Sequence, residues 1–354
     1  MQQGSKKFMA TARVKFLLRP VISIIFSLFV VAIIVLILDK NPMRVFATML
    51  EGAFGSANAI SETLLKATTL ILAGASYAFA AKCGLVNIGI EGQLYMGALG
   101  STIGGIYFSM PAIVHIPFCL LLGFIFGAAW GGIVGFLKVQ FGSSEIITTV
   151  MMNYVARFFI SYLVTGPMIE PSRAYPQTIK LADTAQLPTL LQGTRLNIGF
   201  IFAICVLCLY FVYWRYTSAG YEMTIVGQNQ NVAAYAGMNV KRVMVVSMLV
   251  AGGLGGLAGS MEIMGIQYRL KEAFSAGYGF DGIAIALLGS NSAPGIFFSS
   301  VLFGALRTGG NRVQMKESIP TSITSVIMAL VILFVLVDFF RKRRSVKLGK
   351  KEGK

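Results

Sequence analysis

Along this chain, positions without charge run on for whole membrane thicknesses before an Asp, Glu, Lys or Arg interrupts them. Charge-free runs extend from Pro20 to Leu38, Gly92 to Leu137, Leu196 to Trp214, Val243 to Met261, Gly282 to Leu306 and Ser318 to Val337. A hydrocarbon core about 30 Å thick needs roughly 20 apolar residues at 1.5 Å of rise each, so these runs are candidate membrane helices. The pattern predicts spans over 17–38, 63–81, 93–109, 113–138, 145–165, 197–215, 243–265, 279–291, 294–310 and 320–340. The expected class is therefore an all-α integral membrane protein of about ten transmembrane helices, with broken or re-entrant segments among them. The eighth span is short, and a re-entrant path there lowers the count to eight or nine.

Composition agrees with this reading. Apolar residues make up 56% and charged residues 12% of 354 positions, the latter about half the share of a soluble domain. The net charge of +16 does not mark a nucleic-acid surface, which needs its cations spread over a folded face. Here they gather at the ends. Lys6, Lys7, Arg13, Lys15 and Arg19 precede the first span, and Arg341, Lys342, Arg343, Arg344, Lys347, Lys350, Lys351 and Lys354 follow the last. Basic clusters abutting apolar helices face the cytoplasm and its anionic lipid headgroups, which places both termini inside a cell membrane. The chain then divides into a basic tail (1–16), a polytopic membrane domain (17–340) and a second basic tail (341–354). The first apolar run exceeds the 7–15 residues of a signal-peptide core and ends in Asp39 and Lys40, so it reads as an uncleaved helix.

With both ends inside, odd-numbered connections lie outside. The longest of these, Gly166 to Arg195, carries Pro167, Pro171, Pro176 and Pro188; the longest inner connection runs from Thr217 to Arg242. Arg307, Arg312 and Lys316 fall outside on this map, against the positive-inside rule. Cys83, Cys119, Cys205 and Cys208 lie in or beside apolar segments and read as small buried hydrophobes, the C-x-x-C spacing of the last two notwithstanding. His115 is the single histidine, which leaves no histidine-based metal site within the chain.

Glycine supplies a second signal. Gly123, Gly127, Gly131 and Gly135 share one helix face, as do Gly252 with Gly256 and Gly255 with Gly259. Such faces let helix backbones approach closely in lipid. The segment GLVNIGIEGQ (Gly84 to Gln93) differs in kind: three glycines, one Asn, one Glu and one Gln in ten residues make a poor lipid-facing helix. A Glu at the bilayer centre costs on the order of 3 kcal/mol, so Glu91 needs a polar interior, a headgroup region or a partner. A second segment, GYGFDGIAIALLG (Gly277 to Gly289), repeats the frame, with Gly277, Gly282 and Ile283 answering to Gly84, Gly89 and Ile90. Paired glycine-interrupted segments in the two halves of a transporter point to discontinuous helices beside its pathway.

The blocks GLVNIGIEGQLYMGALG, VGQNQNVAAYAGMNV and GYGFDGIAIALLG with the APG that follows resemble the permeases of ABC importers for nucleosides and simple sugars, a group related to branched-chain amino acid permeases. The resemblance covers nearly all of Gly52 to Phe340, and the glutamate-containing NIGIEGQ form is typical of the nucleoside branch. It implies a core of two permeases, a second copy or a homologous chain completing the pair. It also implies cytoplasmic ATPase modules that bind ATP and Mg, and an external substrate-binding lipoprotein. The chain itself carries no G-x4-G-K-[ST] phosphate loop, so no ATP hydrolysis is expected on it.

In related permeases a short cytoplasmic coupling helix seats small residues in a groove of the ATPase. Ala233, Ala234 and Gly237 match that arrangement, with Asn231 as the expected cap and Asn239 closing the loop; Val232 stands where the acid of the E-A-A form would be. For the substrate pathway the candidates are Asn87, Glu91, Gln93, Phe280 and Asp281, with Asn153 and Tyr154 beside them. Amides and aromatics offer hydrogen bonds and a π face to a neutral ribose and base. Glu91 has a second role open to it, capping a broken helix or pairing with Lys82. The alternatives are an ion-gradient secondary transporter, which Glu91 and Asp281 favour, and a permease for simple sugars. A membrane-embedded enzyme lacks its chemistry, with one histidine and no paired carboxylates in one apolar span.

Overall fold

The structure, a computed structural model, describes residues 29–33, 35–37, 39–319, 325–326 and 329–330. The expected first span (17–38), the last (320–340) and both basic tails fall largely or wholly outside the described residues. The described helices are α1 (Pro42–Phe54), α2 (Ala57–Lys82), α3 (Ile90–Tyr107), α4 (Ala112–Phe141), α5 (Glu145–Thr165), α6 (Gly199–Tyr216), α7 (Ser218–Gln228), α8 (Gln230–Tyr235), α9 (Val240–Glu262), α10 (Tyr278–Leu288) and α11 (Ala293–Glu317). A π turn, Ile263–Gln267, continues α9. The residues form two compact units, one spanning 60–304 and the other made by the chain up to Ala59 and from Ala305.

Among the described residues, five stretches are long and apolar enough to cross a membrane: α2, α4, α5, α6 and Val240–Gln267. They divide by burial. In α2 and Val240–Gln267, 83% and 78% of the apolar window is buried inside the chain, against 22–28% in α4, α5 and α6. The first two, with the almost wholly buried α3, make the centre of the larger unit, and the other three present apolar surface outward. The expected eighth span (279–291) is instead α10, 11 residues and about 16 Å long, half of what a bilayer needs. Ten full spans are thus not found among the described residues; a half-helix takes the place of one.

The glycine faces meet each other. A Cβ on Gly127 of α4 would come within 2.6 Å of Gly256 Cα on α9, and one on Gly131 within 2.9 Å of Gly252 Cα. No side chain fits between these backbones, which is why both helices carry the small residue every fourth position.

In the smaller unit, α1 is a helix where the sequence suggests only a connection. Asn41 caps it, accepting from Met43 N at 3.0 Å, and Pro42 follows at the first helical position. Glu51 of α1 takes Lys316 Nζ at 2.8 Å and Arg312 Nη2 at 3.4 Å, and Arg44 Nε lies 3.1 Å from Glu317. Two of the cations that broke the positive-inside pattern are thus neutralised by a carboxylate from the first connection. Paired charge lets α11 run on to Glu317, seven residues beyond the expected end of that span.

The connection between α5 and α6 is ordered by hydrogen bonds to two other segments. Thr178 N donates to Leu270 O and Leu181 N to Tyr268 O, both at 2.9 Å, while Ala182 N donates to Gly105 O at 2.9 Å. His115 of α4 lies 3.0 Å from Gly104 O through Nε2 and 2.8 Å from Thr184 Oγ1 through Nδ1. A carbonyl only accepts, so Nε2 carries the proton. Glu170 receives Gln177 Nε2 at 3.1 Å and pairs with Arg269.

Hydrogen bonds from Gln177 and Ser172, then Arg269, hold the Glu170 carboxyl below the usual glutamate range. A carboxyl whose folded value is depressed lends order above its unfolded pKa and loses it as pH falls through the folded value. Amide exchange at Thr178 and Leu270, corrected for intrinsic rate, should therefore be flat from about pH 5 to 8 and rise below about 4. A rise beginning near neutrality would show that another group holds this segment.

Candidate functional site

The two glycine-interrupted segments converge. Residues 84–89 leave α2 in irregular backbone and enter α3, whose first turn carries Glu91; Gly277 turns the chain into α10 with φ +84°, a left-handed conformation that glycine adopts without a Cβ penalty. Gly279, in the first turn of α10, donates its N–H to Glu91 Oε2 at 2.8 Å. A Cβ on Gly279 would lie 2.6 Å from Glu91 Cα, so only glycine permits the approach. Glu91 therefore sits in the first turn of one helix and caps the first turn of another. The positive end of a helix stabilises an anion by about 0.3–1 kcal/mol, and by up to about 2 where partly buried. Two such ends account for a carboxylate that is only 8% exposed.

Around it lies an amide framework. Asn87 Nδ2 donates to Gln93 Oε1 at 3.0 Å and Gln93 Nε2 returns to Asn87 Oδ1 at 3.2 Å. Asn87 Oδ1 also receives Gly89 N at 3.0 Å. Asn153 reaches in from α5: its Oδ1 accepts Gly92 N at 2.8 Å and its Nδ2 donates to Ile88 O at 3.0 Å. One side chain thus satisfies a donor and an acceptor that the break in the helix exposes. Ser76 of α2, which the sequence did not single out, donates to Ala251 O at 2.7 Å and lies 3.5 Å from Gln93 Oε1.

The structure brings Asn87, Glu91, Gln93 and Asn153 into one buried cluster and places Asp281, 8% exposed, in the first turn of α10 beside it. Phe280 is half-exposed next to Gly279. Tyr154 is also half-exposed, about 100° round α5 from Asn153, and stands outside the cluster. Pairing of Glu91 with Lys82 is not what the structure shows: Lys82 Nζ stands over the rings of Trp214 and Tyr210, 4.8 and 5.1 Å from their centroids.

At the opposite end of α6 from the 166–198 connection, α7 and α8 form the loop singled out for coupling. The cap of α8 is Asn229, not Asn231; its Oδ1 accepts from Asn231 N at 3.0 Å and Val232 N at 3.2 Å. The extended backbone of Asn229 (φ −159°) suits that position, and Asn231 is already helical. Ala233 is fully buried, whereas Ala234 is exposed. Met238 N donates to Ala233 O and Gly237 N to Ala234 O, both at 3.0 Å, with Gly237 at φ +79°: a left-handed helix stop. Asn239 caps α9 through Arg242 N at 3.1 Å.

Helices broken at glycine, with N-termini meeting on a buried carboxylate between apolar spans, define a membrane permease of the discontinuous-helix kind. The profile of the branched-chain amino acid transport system / permease component family matches residues 59–336, and the chain belongs to that family. It is a multi-pass permease subunit of the cell membrane, not an enzyme. The guanosine ABC transporter permease protein NupP of Bacillus subtilis is 35% identical, over 96% of this chain and 98% of its own. The nucleoside ABC transporter permease protein NupB of Lactococcus lactis is 37% identical over 90% of each chain. The glucose ABC transporter permease protein TsgB13 of Haloferax volcanii is 35% identical over 93% of this chain and 90% of its own.

Proposed function

We propose that this chain is the permease subunit of an ABC importer for nucleosides, driven by ATP bound with Mg on partner ATPase modules. The observation that carries the reading is the meeting of α3 and α10 on Glu91, in a chain at least 35% identical over nine-tenths of its length to permeases named for guanosine and nucleosides. Asn87, Glu91, Gln93, Asn153 and Asp281 shape the pathway, with Phe280 offering an aromatic face to the base. A second homologous permease, or a second copy, completes the channel, and an external lipoprotein delivers the solute. The similarity to a permease named for glucose supports a second reading, simple-sugar import, since hexose and ribose share hydroxyl chemistry.

Both termini lie in the cytoplasm in this reading, which puts the α7–α8 loop inside and the 166–198 segment outside. The exposed Ala234 and the turn at Gly237 are the ATPase contact, flanked by Asn231 and Asn239, while Ala233 anchors α8 to its own chain. In a cysteine-free background, cysteine at Leu191 then reacts with an impermeant thiol reagent in intact cells and cysteine at Gln230 only after permeabilisation. The transport test is reconstitution. With ATPase, partner permease and binding protein, nucleoside uptake requires internal ATP and survives collapse of proton and sodium gradients, because a two-state pathway shifts only as far as a ligand's differential affinity drives it. Ala234→Trp detaches the ATPase or abolishes substrate-stimulated hydrolysis. Gradient-driven uptake by this chain alone in proteoliposomes would replace the reading with secondary transport.

A further inference from the structure

A further buried carboxylate lies outside the framework described above. Glu262 is the last residue of α9 and 4% exposed. Its Oε2 accepts the Thr69 hydroxyl of α2 at 3.3 Å, and its Oε1 accepts Gln267 Nε2 at 3.0 Å. In an α-helix, residues five apart stand about 140° from one another around the axis. The π turn Ile263–Gln267 removes that offset and carries Gln267 back over Glu262. Turns of this kind sit disproportionately at functional sites. Gln267 also donates to Phe274 O at 3.2 Å, and the Phe274 ring stands edge-on to Tyr95 with centroids 4.8 Å apart.

The position of this group connects it to the pathway. Thr69, Ala73 and Ser76 occupy one face of α2 at spacings of four and three. Thr69 meets Glu262, Ala73 lies where a Cβ on Gly282 of α10 would strike it, and Ser76 reaches Gln93. The same face therefore runs past Glu262, the half-helix and the amide pair. Gln267 and Tyr268 are half-exposed, so the carboxylate lies one side chain below an accessible surface.

We infer that Glu262, Thr69 and Gln267 form a subsite for the vicinal hydroxyls of a ribose, with the Tyr95–Phe274 pair as its apolar wall; the inference rests on the nucleoside reading above. A carboxylate accepts two O–H bonds from a cis-diol through its two oxygens, each of which has a second lone pair. Gln267, whose two N–H groups hold Glu262 and Phe274 O, adds its amide oxygen as a further acceptor. At 3.3 Å the Thr69 bond is long for O–H···O, so a sugar hydroxyl displaces it at small cost. A neutral sugar leaves no net charge to extract when the pathway reopens. A site built to hydrogen-bond a hydroxyl discriminates strongly against an analogue without it, because its polar groups are then left unmatched.

The test compares uptake of a ribonucleoside and its 2′,3′-dideoxy analogue by the complete transporter. The binding protein is the same in every arm, so a change in the ratio of the two rates belongs to the permease. Glu262→Gln, which keeps shape and one acceptor, lowers that ratio about tenfold, and Glu262→Leu by up to about a hundredfold. Thr69→Val, which removes only a hydroxyl, shifts the ratio in the same direction by less. Recovery of intact complex in detergent reports folding; should Glu262→Leu fail to assemble, the Gln and Val variants decide. A ratio unchanged in Glu262→Gln, with wild-type uptake intact, overturns the subsite while leaving the nucleoside reading standing. Absence of nucleoside uptake by the wild-type complex overturns the reading itself. Uptake whose ion dependence disappears in Glu262→Gln makes Glu262 an ion site instead.

Discussion

A leucine at position 227 should abolish uptake while ATP hydrolysis by the partner modules continues. Gly227 lies in the last turn of α7, and a Cβ there would strike the Lys82 carbonyl and come within 2.8 Å of Cys83 C. From the other side, a Cβ on Gly84 would come within 3.0 Å of Gly227 Cα. The α7–α8 loop thus abuts, backbone to backbone, the start of the irregular segment that carries Asn87 and leads to Glu91. No flexible side chain intervenes to absorb movement, so displacement of α7 reaches the break between α2 and α3 directly. Overpacking of a tight contact costs about 1–3 kcal/mol, and about 1.4 kcal/mol of misplaced barrier is tenfold in rate. Uptake in Gly227→Leu is expected to fall at least about tenfold, with Gly227→Ala between it and wild type. The measurement is uptake and ATP hydrolysis in one proteoliposome preparation; undiminished uptake in the leucine variant would refute the junction.

Asn153→Leu should damage the buried cluster severely. It orphans both Gly92 N–H and Ile88 O in a buried site, at roughly 1–3 kcal/mol for each group. Loss of uptake with a lowered thermal midpoint is expected. Glu91→Leu removes the acceptor for Gly279 N–H and the charge at two helix ends, so uptake and the thermal midpoint fall here as well. Glu91→Gln keeps an acceptor for Gly279 and gives up only the charge–dipole part, about 0.3–1 kcal/mol per helix end. Thermal unfolding and ATP-driven uptake, measured across all three variants, should leave Glu91→Gln the least impaired, with no ion dependence appearing in any. A Gln variant as impaired as the Leu variant at position 91 would mean that the negative charge, not the hydrogen bond, holds α10 in place.

The two glycine-interrupted segments divide what local pattern carries from what only long-range contact decides. Their frame, Gly-x4-Gly-Ile, is visible along the chain, and so is the misfit of Glu91 with lipid. That Glu91 meets Gly279, 188 residues away, is not visible, because nothing local in either segment names its partner. The role of Asn153 was out of reach for the same reason: an Asn on an apolar helix reads alike whether it faces a solute or a broken backbone. Glu262 was overlooked because it ends the charge-free run at Met261 and reads as the edge of a span. The π turn that folds Gln267 over it has no residue signature. The cap of α8 was misplaced by two positions, since Asn229 and Asn231 are equivalent by propensity and only the extended backbone at Asn229 separates them.

What the chain determined by itself is the solvent and the class: long charge-free runs leave a bilayer as the medium in which these helices satisfy every backbone group internally. The glycine faces of α4 and α9 were equally legible, since a four-residue period of the smallest side chain has meaning wherever helices cross closely. Tertiary structure alone decided the rest. A half-length α10 is stable because a carboxylate from another helix takes up its N-terminal amide, and α11 carries its cations because a carboxylate from α1 neutralises them. The buried hydrogen bond overrides the span length that applies to a helix alone, because a buried polar group left unmatched costs more than a local preference can return. The ion pairs, whose side chains are exposed, answer the charge rule by local neutralisation.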